Sequence, residues 1–136
     1  MGEIEDIIVK FREAAQEGDF ARIGALTREY STDDFVTEWP QSGERLSKEA
    51  AVRLESAYPE MSGTRPKLTF KRMLHGGDLV VVEGTVDYGD GIPVSYVGIA
   101  ELRGTRVAKM TEYFANPFEA PAWRDGISER MTAAPA

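Results

Sequence analysis

The sequence predicts one α+β domain in which N-terminal helices cover the concave side of a curved antiparallel sheet. Three observations support this fold class: a length of 136 residues, amphipathic helical stripes in the first half, and four consecutive β-type segments joined by glycine-containing turns. We expect a single domain over residues 1–136, with its core over about 3–124 and a C-terminal tail over 125–136. Helices laid across a curved sheet enclose a pocket, so the fold class itself predicts one.

Two helices are predicted near the N-terminus. In residues 3–16 the apolar side chains recur at i, i+3, i+4, i+7 and i+11, which places them on one helical face. Gly18 is a natural C-terminal stop, and Asp19 can cap a second helix over residues 19–27. Both helices therefore have an apolar face to bury against the sheet.

The next segment is predicted to hold short strands and a third helix. Residues 31–34 form a polar turn cluster, and short strands follow at 35–39 and 44–46. A helix is predicted over residues 47–58, and Pro59 is expected to close it. The apolar positions of this helix are Ala50, Ala51, Leu54 and Tyr58.

Four further strands are predicted after residue 66. β-Branched and aromatic residues are frequent in segments 67–75, 79–88, 92–103 and 106–115. The turns between these segments contain glycine, which supplies the positive φ that tight hairpins need. An antiparallel meander of this length curls as it twists. Residues 118–124 hold two aromatic side chains, and we expect them to lie on the body of the domain.

Charge and composition restrict the partners. The net charge is −7, and residues 1–60 hold 14 acidic against 7 basic side chains. This acidic layer argues against nucleic acid and anionic membranes, because both require a basic surface. No segment approaches the ~20 apolar residues of a membrane span. The chain has no cysteine and one histidine, so we expect no metal site and a reducing, cytoplasmic environment. We also expect no cofactor, since acid–base chemistry needs none.

Three motifs stand between or within the predicted elements. They are Glu17-Gly18-Asp19-Phe20, Asp33-Asp34-Phe35-Val36-Thr37-Glu38-Trp39-Pro40 and Met110-Thr111-Glu112-Tyr113-Phe114. In this order and at this spacing they resemble the nuclear transport factor 2-like superfamily, and within it the SnoaL-like branch. The resemblance covers residues 3–124.

This resemblance implies a cone-shaped α+β barrel whose curved sheet wraps the first helix and whose ligand cavity opens at the wide end. It also implies a homodimer through the outer sheet face, which here carries Glu83, Thr85 and Asp87. Members include ketosteroid isomerase, limonene epoxide hydrolase, polyketide cyclases, dehydratases and binding modules without chemistry. The fold therefore leaves an enzyme and a non-catalytic module both open.

The catalytic residues of ketosteroid isomerase are not present at the matching positions of this sequence. Its oxyanion-binding tyrosine on the first helix matches Phe11, and its base before a proline matches Trp39. Its second oxyanion acid falls near Val97 or Gly98. Steroid isomerisation by that mechanism is therefore not expected, although the resemblance still places Phe11 and Trp39 at the cavity as ligand contacts.

The limonene epoxide hydrolase relay is kept at one position only. Glu112 precedes a Tyr-Phe pair, as the last-strand aspartate of that relay does. The arginine and the second aspartate of the relay fall at Gly84 and Val86, which have no polar side chain. Polyketide cyclases of the SnoaL type also rely on a last-strand acid, so Glu112 fits that branch more loosely.

Glu112 is the first catalytic candidate. Strand alternation places it on one face with Met110 and Phe114, which we expect to contact a ligand. A carboxyl among apolar neighbours has a raised pKa and is suited to general acid or base work. Tyr96 shares a strand face with Gly98, whose missing side chain leaves room for a ligand, and is expected to donate a hydrogen bond.

Glu38 is the second catalytic candidate. Alternation alone buries Phe35 and Trp39 and leaves Glu38 in water. The hydrolase comparison points Glu38 into the cavity and the isomerase comparison points Trp39 there, and a bulge before Pro40 would turn both inward. With Glu38 beside Glu112, the cavity would hold a paired-carboxylate site.

The sequence thus predicts a SnoaL-like pocket protein for a small apolar molecule. One hypothesis is cofactor-independent acid–base catalysis of the cyclase, isomerase, dehydratase or epoxide-hydrolase type, carried by Glu112 and Glu38. The alternative is a non-catalytic ligand-binding or dimerisation module.

Overall fold

The computed structural model describes residues 2–131, which form three α-helices and six β-strands. The helices are α1 (Glu3–Glu17), α2 (Phe20–Tyr30) and α3 (Lys48–Ser62). The strands are β1 (Ser31–Trp39), β2 (Glu44–Ser47), β3 (Lys67–Gly76), β4 (Leu79–Asp87), β5 (Pro93–Arg103) and β6 (Arg106–Ala115), and a short 3₁₀ helix covers Ala122–Arg124.

All six strands form one curved, unclosed sheet in the order β2-β1-β6-β5-β4-β3. Strand β1 runs parallel to β6, whereas every other neighbouring pair is antiparallel. The meander of β3 to β6 is therefore present as predicted, and the α+β cone fold is confirmed.

The apolar core lies between the concave sheet face and the helices. One cluster of buried core residues comprises Val80, Val82, Val86, Val94 and Tyr96. Helix α1 packs on β3, α3 packs on β1, and α2 and α3 pack on each other. Because alternate strand residues face the core, Glu112 of β6 lies opposite Gly98 of β5 on the inner side.

Residues 31–34 do not form the predicted turn. Helix α2 continues to Tyr30, and β1 begins directly at Ser31, whose side chain donates to the Thr27 carbonyl over 2.5 Å. Ser31 pairs with Val107 of β6, and the next pair is Val36 with Lys109. The register is irregular between these two pairs. Tertiary pairing with β6 thus overrides the local preference for a turn.

Pro59 does not close α3, which continues to Ser62. A proline within a helix lacks the N–H that would bond to the carbonyl four residues earlier, here that of Glu55. The last turn is completed because Gly63, at φ +77°, donates its N–H to the Pro59 carbonyl over 3.0 Å. The helix therefore extends past the residue expected to end it.

The C-terminal segment does not lie on the body as expected. Phe118 is 84% exposed and Trp123 is 76% exposed. Residues 132–136 of the predicted tail lie outside the described residues. Within residues 2–131, no helix is long and apolar enough to cross a membrane.

Candidate functional site

The helices and the concave sheet face enclose a cavity of about 290 Å³. Apolar and aromatic side chains from all three helices and from five of the strands line it. Its size is near the lower end of the range found for small-molecule sites, about 300–1,000 Å³. Among the described lining residues there is no Lys, Arg, His or Asp, and the carboxyl groups are those of Glu55 and Glu112.

Glu112 of β6 lies in this cavity with each carboxylate oxygen held by a different donor. The indole Nε1 of Trp39 donates to Oε1 over 3.0 Å, and the hydroxyl of Tyr96 donates to Oε2 over 2.5 Å. Both donors come from neighbouring strands, since β1 and β5 flank β6 in the sheet. The carboxylate is therefore oriented by the sheet itself.

Tyr96 is suited to remain the donor in this contact. Burial, together with the negative charge of Glu112, raises the pKa of the Tyr96 phenol well above its usual value. The hydrogen bond to Glu112 and the charge of Glu55 act in the same direction. Tyr96 therefore keeps its proton across the physiological range.

Gly98 provides the space that this arrangement needs. A Cβ at this position would overlap the Tyr96 hydroxyl and would lie 2.8 Å from Cε of Met110. The missing side chain opposite Glu112 thus lets the Tyr96 hydroxyl reach the carboxylate.

Glu55 of α3 is a cavity residue that the sequence analysis missed. Burial raises the pKa of its carboxyl to about 8, a hydrogen bond with the Thr27 side chain opposes the rise, and the charge of Glu112 adds to it. Within residues 2–131, the buried Oε1 atom of Glu55 has no hydrogen-bond partner. The cavity therefore holds two carboxyl groups in different surroundings.

A sequence signal for Glu55 does exist. Ala51, Leu54, Glu55 and Tyr58 stand at i, i+3, i+4 and i+7, so Glu55 occupies one position of the apolar stripe of α3. A charged residue within such a stripe is a candidate for a buried functional group. The apolar positions predicted for this helix include Ala51, Leu54 and Tyr58 but not Glu55.

Glu38 lies on the opposite face of β1, so the predicted pair of Glu38 and Glu112 is wrong. Its carboxylate contacts Arg45 over 2.7 Å and Lys109 over 2.8 Å. These two cations hold the pKa of Glu38 below its usual value, with Lys109 the larger cause. Strand alternation explains the placement, since Phe35, Thr37 and Trp39 line the cavity and no bulge before Pro40 re-aims Glu38.

The structure brings together the other sequence-predicted ligand contacts. Phe11 from α1, Trp39 from β1, Tyr96 from β5, and Met110 and Phe114 from β6 all line the cavity. The ring of Tyr96 also packs on Phe114, with centroids 5.2 Å apart. Within residues 2–131, no three His, Cys, Asp or Glu side chains are placed to hold a metal ion.

Comparisons with known proteins identify the family of this chain. A sequence model described as the SnoaL-like domain matches residues 8–110. This chain belongs to the SnoaL-like domain family. The SnoaL-like match includes Trp39, Glu55 and Tyr96 but ends two residues before Glu112. None of the curated proteins matches the chain.

Solved SnoaL-like and related structures share the fold. An NTF-2 like protein of unknown function from Burkholderia xenovorans LB400 is 30% identical, with 96% of each chain covered and a TM-score of 0.75. A putative ketosteroid isomerase from Kribbella flavida DSM 17836 is 22% identical, covering 96% of this chain and 91% of its own, with a TM-score of 0.78. A putative SnoaL-like polyketide cyclase from Jannaschia sp. CCS1 is 20% identical, covering 82% and 85%, with a TM-score of 0.66.

In this SnoaL-like domain the position that resembles the isomerase base has a different role. Trp39 occupies it and donates a hydrogen bond to Glu112, instead of accepting a proton. The strand carboxylate of the cavity thus belongs to β6, and β1 supplies a donor that orients it.

Proposed function

We propose that this SnoaL-like domain binds a small apolar molecule in its cavity and performs cofactor-independent acid–base chemistry on it, with Glu112 as the acting carboxyl. One observation carries the proposal: Glu112 stands in an apolar cavity, with one oxygen held by Trp39 and the other by Tyr96. Both donors lie within hydrogen-bonding distance, so the carboxylate has one defined orientation.

The carboxylate of Glu112 can still accept a proton from a ligand while Trp39 and Tyr96 hold it. An ionised carboxylate has about four lone-pair sites, and the two donors use only two of them. Glu112 can therefore take a proton from a ligand held against it, which is the task of a general base. Names of structural neighbours, a putative ketosteroid isomerase and a putative polyketide cyclase, support chemistry of this class on apolar substrates.

Replacement of Glu112 tests the proposal. Purified protein is incubated with a panel of small cyclic ketones and epoxides, and conversion is followed by mass spectrometry. We expect Glu112→Gln to lower turnover by about 10²-fold or more, because the amide cannot accept the proton. Glu101→Gln is the matched control, since Glu101 is an exposed β5 glutamate 3.9 Å from Lys109.

The result that contradicts catalysis by Glu112 is full turnover in a folded Glu112→Gln variant, with circular dichroism confirming the fold. Binding of panel members without conversion favours the second candidate, a non-catalytic binding module. That candidate is supported by the apolar or absent side chains of Phe11, Gly84 and Val86, where the family resemblance implies polar groups in related enzymes. A cytoplasmic location and the exclusion of nucleic acid and membrane partners stay predictions from composition.

A further inference from the structure

We infer that Glu55 donates a hydrogen bond to the ligand of this cavity, and that the ligand is an uncharged apolar molecule with a carbonyl or hydroxyl oxygen that accepts it. The inference rests on the proposed function only in requiring that the cavity bind a small molecule. It does not require turnover.

The position of Glu55 is the first argument. The side chain lies in the apolar stripe of α3 and lines the cavity together with Leu54 and Tyr58 of the same helix. Glu112 projects into the same cavity from the sheet side. A ligand between α3 and the sheet therefore has one carboxyl on each side.

The second argument is the difference in hydrogen bonding between these two carboxyls. Each oxygen of Glu112 has a protein donor, whereas the buried Oε1 of Glu55 has none among residues 2–131. A buried polar atom without a partner costs about 1–3 kcal/mol, so such atoms in proteins are usually satisfied by water or by a ligand. Glu55 therefore has a carboxyl oxygen without a partner in the described part of the protein, and a ligand oxygen can supply that partner.

The third argument is the charge of the surroundings. No other titratable group described in the cavity lining carries a positive charge. These groups are Glu112 of β6, Tyr96 of β5, Tyr58 of α3, Tyr30 and Tyr88. No described lining residue can neutralise a second carboxylate, so burial and the charge of Glu112 hold Glu55 in its protonated form near neutral pH. A protonated carboxyl has one O–H to donate.

The ligand class follows from this donor. A neutral oxygen accepts the O–H of Glu55 without adding charge to the cavity. A carboxylate ligand meets the charge of Glu112 with no described lining cation to offset it. An organic cation is attracted to Glu112, but it gains a second ionic partner only if Glu55 releases its proton.

Three probes with one ring system separate these classes. They are 2-acetylnaphthalene, 2-naphthoate and 2-(aminomethyl)naphthalene, which are neutral, anionic and cationic at pH 6.5. Affinities are measured by calorimetry with the wild type, Glu55→Gln, Glu55→Leu and the control Glu60→Gln, an exposed glutamate of the same helix. The neutral ketone is also titrated from pH 6.5 to pH 9.5.

We expect the wild type to bind the ketone at least tenfold more tightly than the carboxylate, and to lose affinity for it as the pH rises through about 8, where Glu55 ionises. Glu55→Gln keeps an N–H donor, so it binds the ketone but does not show this pH dependence. Glu55→Leu weakens ketone binding by about tenfold, the effect of one lost hydrogen bond. Glu60→Gln behaves as the wild type.

Two results overturn the inference and leave the proposed function standing. One is tightest binding of the amine with release of a proton, which assigns Glu55 to a cationic ligand. The other is an unchanged pH profile in Glu55→Gln. If none of the three probes binds the folded wild type, the cavity does not accept small apolar molecules of this size, and that result counts against both proposals.

Discussion

Two carboxyl groups share one cavity in this domain, and the residues around them give them different properties. Glu112 accepts hydrogen bonds from Trp39 and Tyr96, which fix the orientation of its carboxyl group. Burial raises the pKa of the Glu55 carboxyl to about 8, the side chain of Thr27 opposes the rise, and the charge of Glu112 adds to it.

The raised pKa of Glu55 predicts a pH dependence of stability. Its folded-state pKa of about 8 exceeds the usual value of 4.5, so the native state keeps a proton that the unfolded state releases between these values. The contribution of Glu55 to the free energy of unfolding therefore falls as the pH rises from about 4.5 to about 8, and is level above that. Glu55→Gln removes this proton linkage.

Urea unfolding at pH 5, 6.5 and 8 measures the effect. We expect the free energy of unfolding of Glu55→Gln, relative to the wild type, to increase across this series. Glu60→Gln should follow the wild type, because Glu60 is exposed at the same helix. Parallel pH curves for the wild type and Glu55→Gln would contradict this prediction, because they would mean that Glu55 has the same pKa in the folded and the unfolded protein.

At the scale of elements, the close contact of α2 with α3 sets the position of Glu55. Gly24 of α2 faces Ser56, which follows Glu55 in α3, and a Cβ at Gly24 would overlap the Ser56 hydroxyl. It would also lie 3.2 Å from both Cβ and N of Ser56, closer than ordinary packing allows. The glycine therefore permits the helix separation that brings Glu55 to the cavity.

Gly24→Ala is expected to destabilise the domain. Overpacking costs about 1–3 kcal/mol, and the better helix propensity of alanine, about 1 kcal/mol, offsets only part of it. Thermal unfolding measures the change in the wild type and in a Ser56→Ala background, where the clash with the hydroxyl is absent and the cost should be smaller. Ala25→Ser, at an exposed position of α2, is the control. An equal cost in both backgrounds would contradict this account of the contact.

At the scale of the whole molecule, the two faces of the sheet have different tasks. The inner face lines the cavity, and the outer face presents partly exposed apolar side chains on β5 and β6. Val97 pairs with Tyr113 across these strands, beside the pair of Ile99 and Thr111. Tyr113 remains 39% exposed. A cluster of exposed apolar side chains is a common feature of protein interfaces.

We therefore expect a homodimer through the outer sheet face, as the family resemblance implies. Light scattering coupled to size exclusion should give about twice the chain mass of 15.1 kDa. Tyr113→Glu should shift the protein to the monomer, because it places a charge on the apolar part of this face, whereas Asp90→Ala in an exposed turn should not. A monomeric mass for the wild type at the highest accessible concentration would rule out this assembly.

Local patterns were sufficient for much of this fold. The helical stripe of residues 3–16 and the glycine-marked meander of β3 to β6 appear nearly where the sequence predicts them. Alternation of side chains along β1 and β6 also predicts that Trp39 and Glu112 both face the cavity. These features depend on residues within a few positions of each other, which is the range over which periodicity and turn chemistry act.

Other features depended on contacts between distant segments. Residues 31–34 joined β1 because Ser31 and Val36, on either side of the polar run, pair with β6. Helix α3 continued past Pro59 because Gly63 completed its last turn. The expectation that residues 118–124 would pack on the body was wrong, since an aromatic side chain alone does not specify its partner.

The amino-acid sequence by itself determined the fold class, the order of the elements and the apolar faces that enclose a cavity. Only the tertiary structure decided which polar groups meet inside that cavity. Trp39 and Glu112 stand 73 residues apart and are joined by the parallel pairing of β1 with β6. Glu55 approaches Glu112 through the packing of a helix over the sheet. The charge state of a carboxyl depends on burial and on neighbouring charges, which are set by tertiary packing and not by sequence spacing.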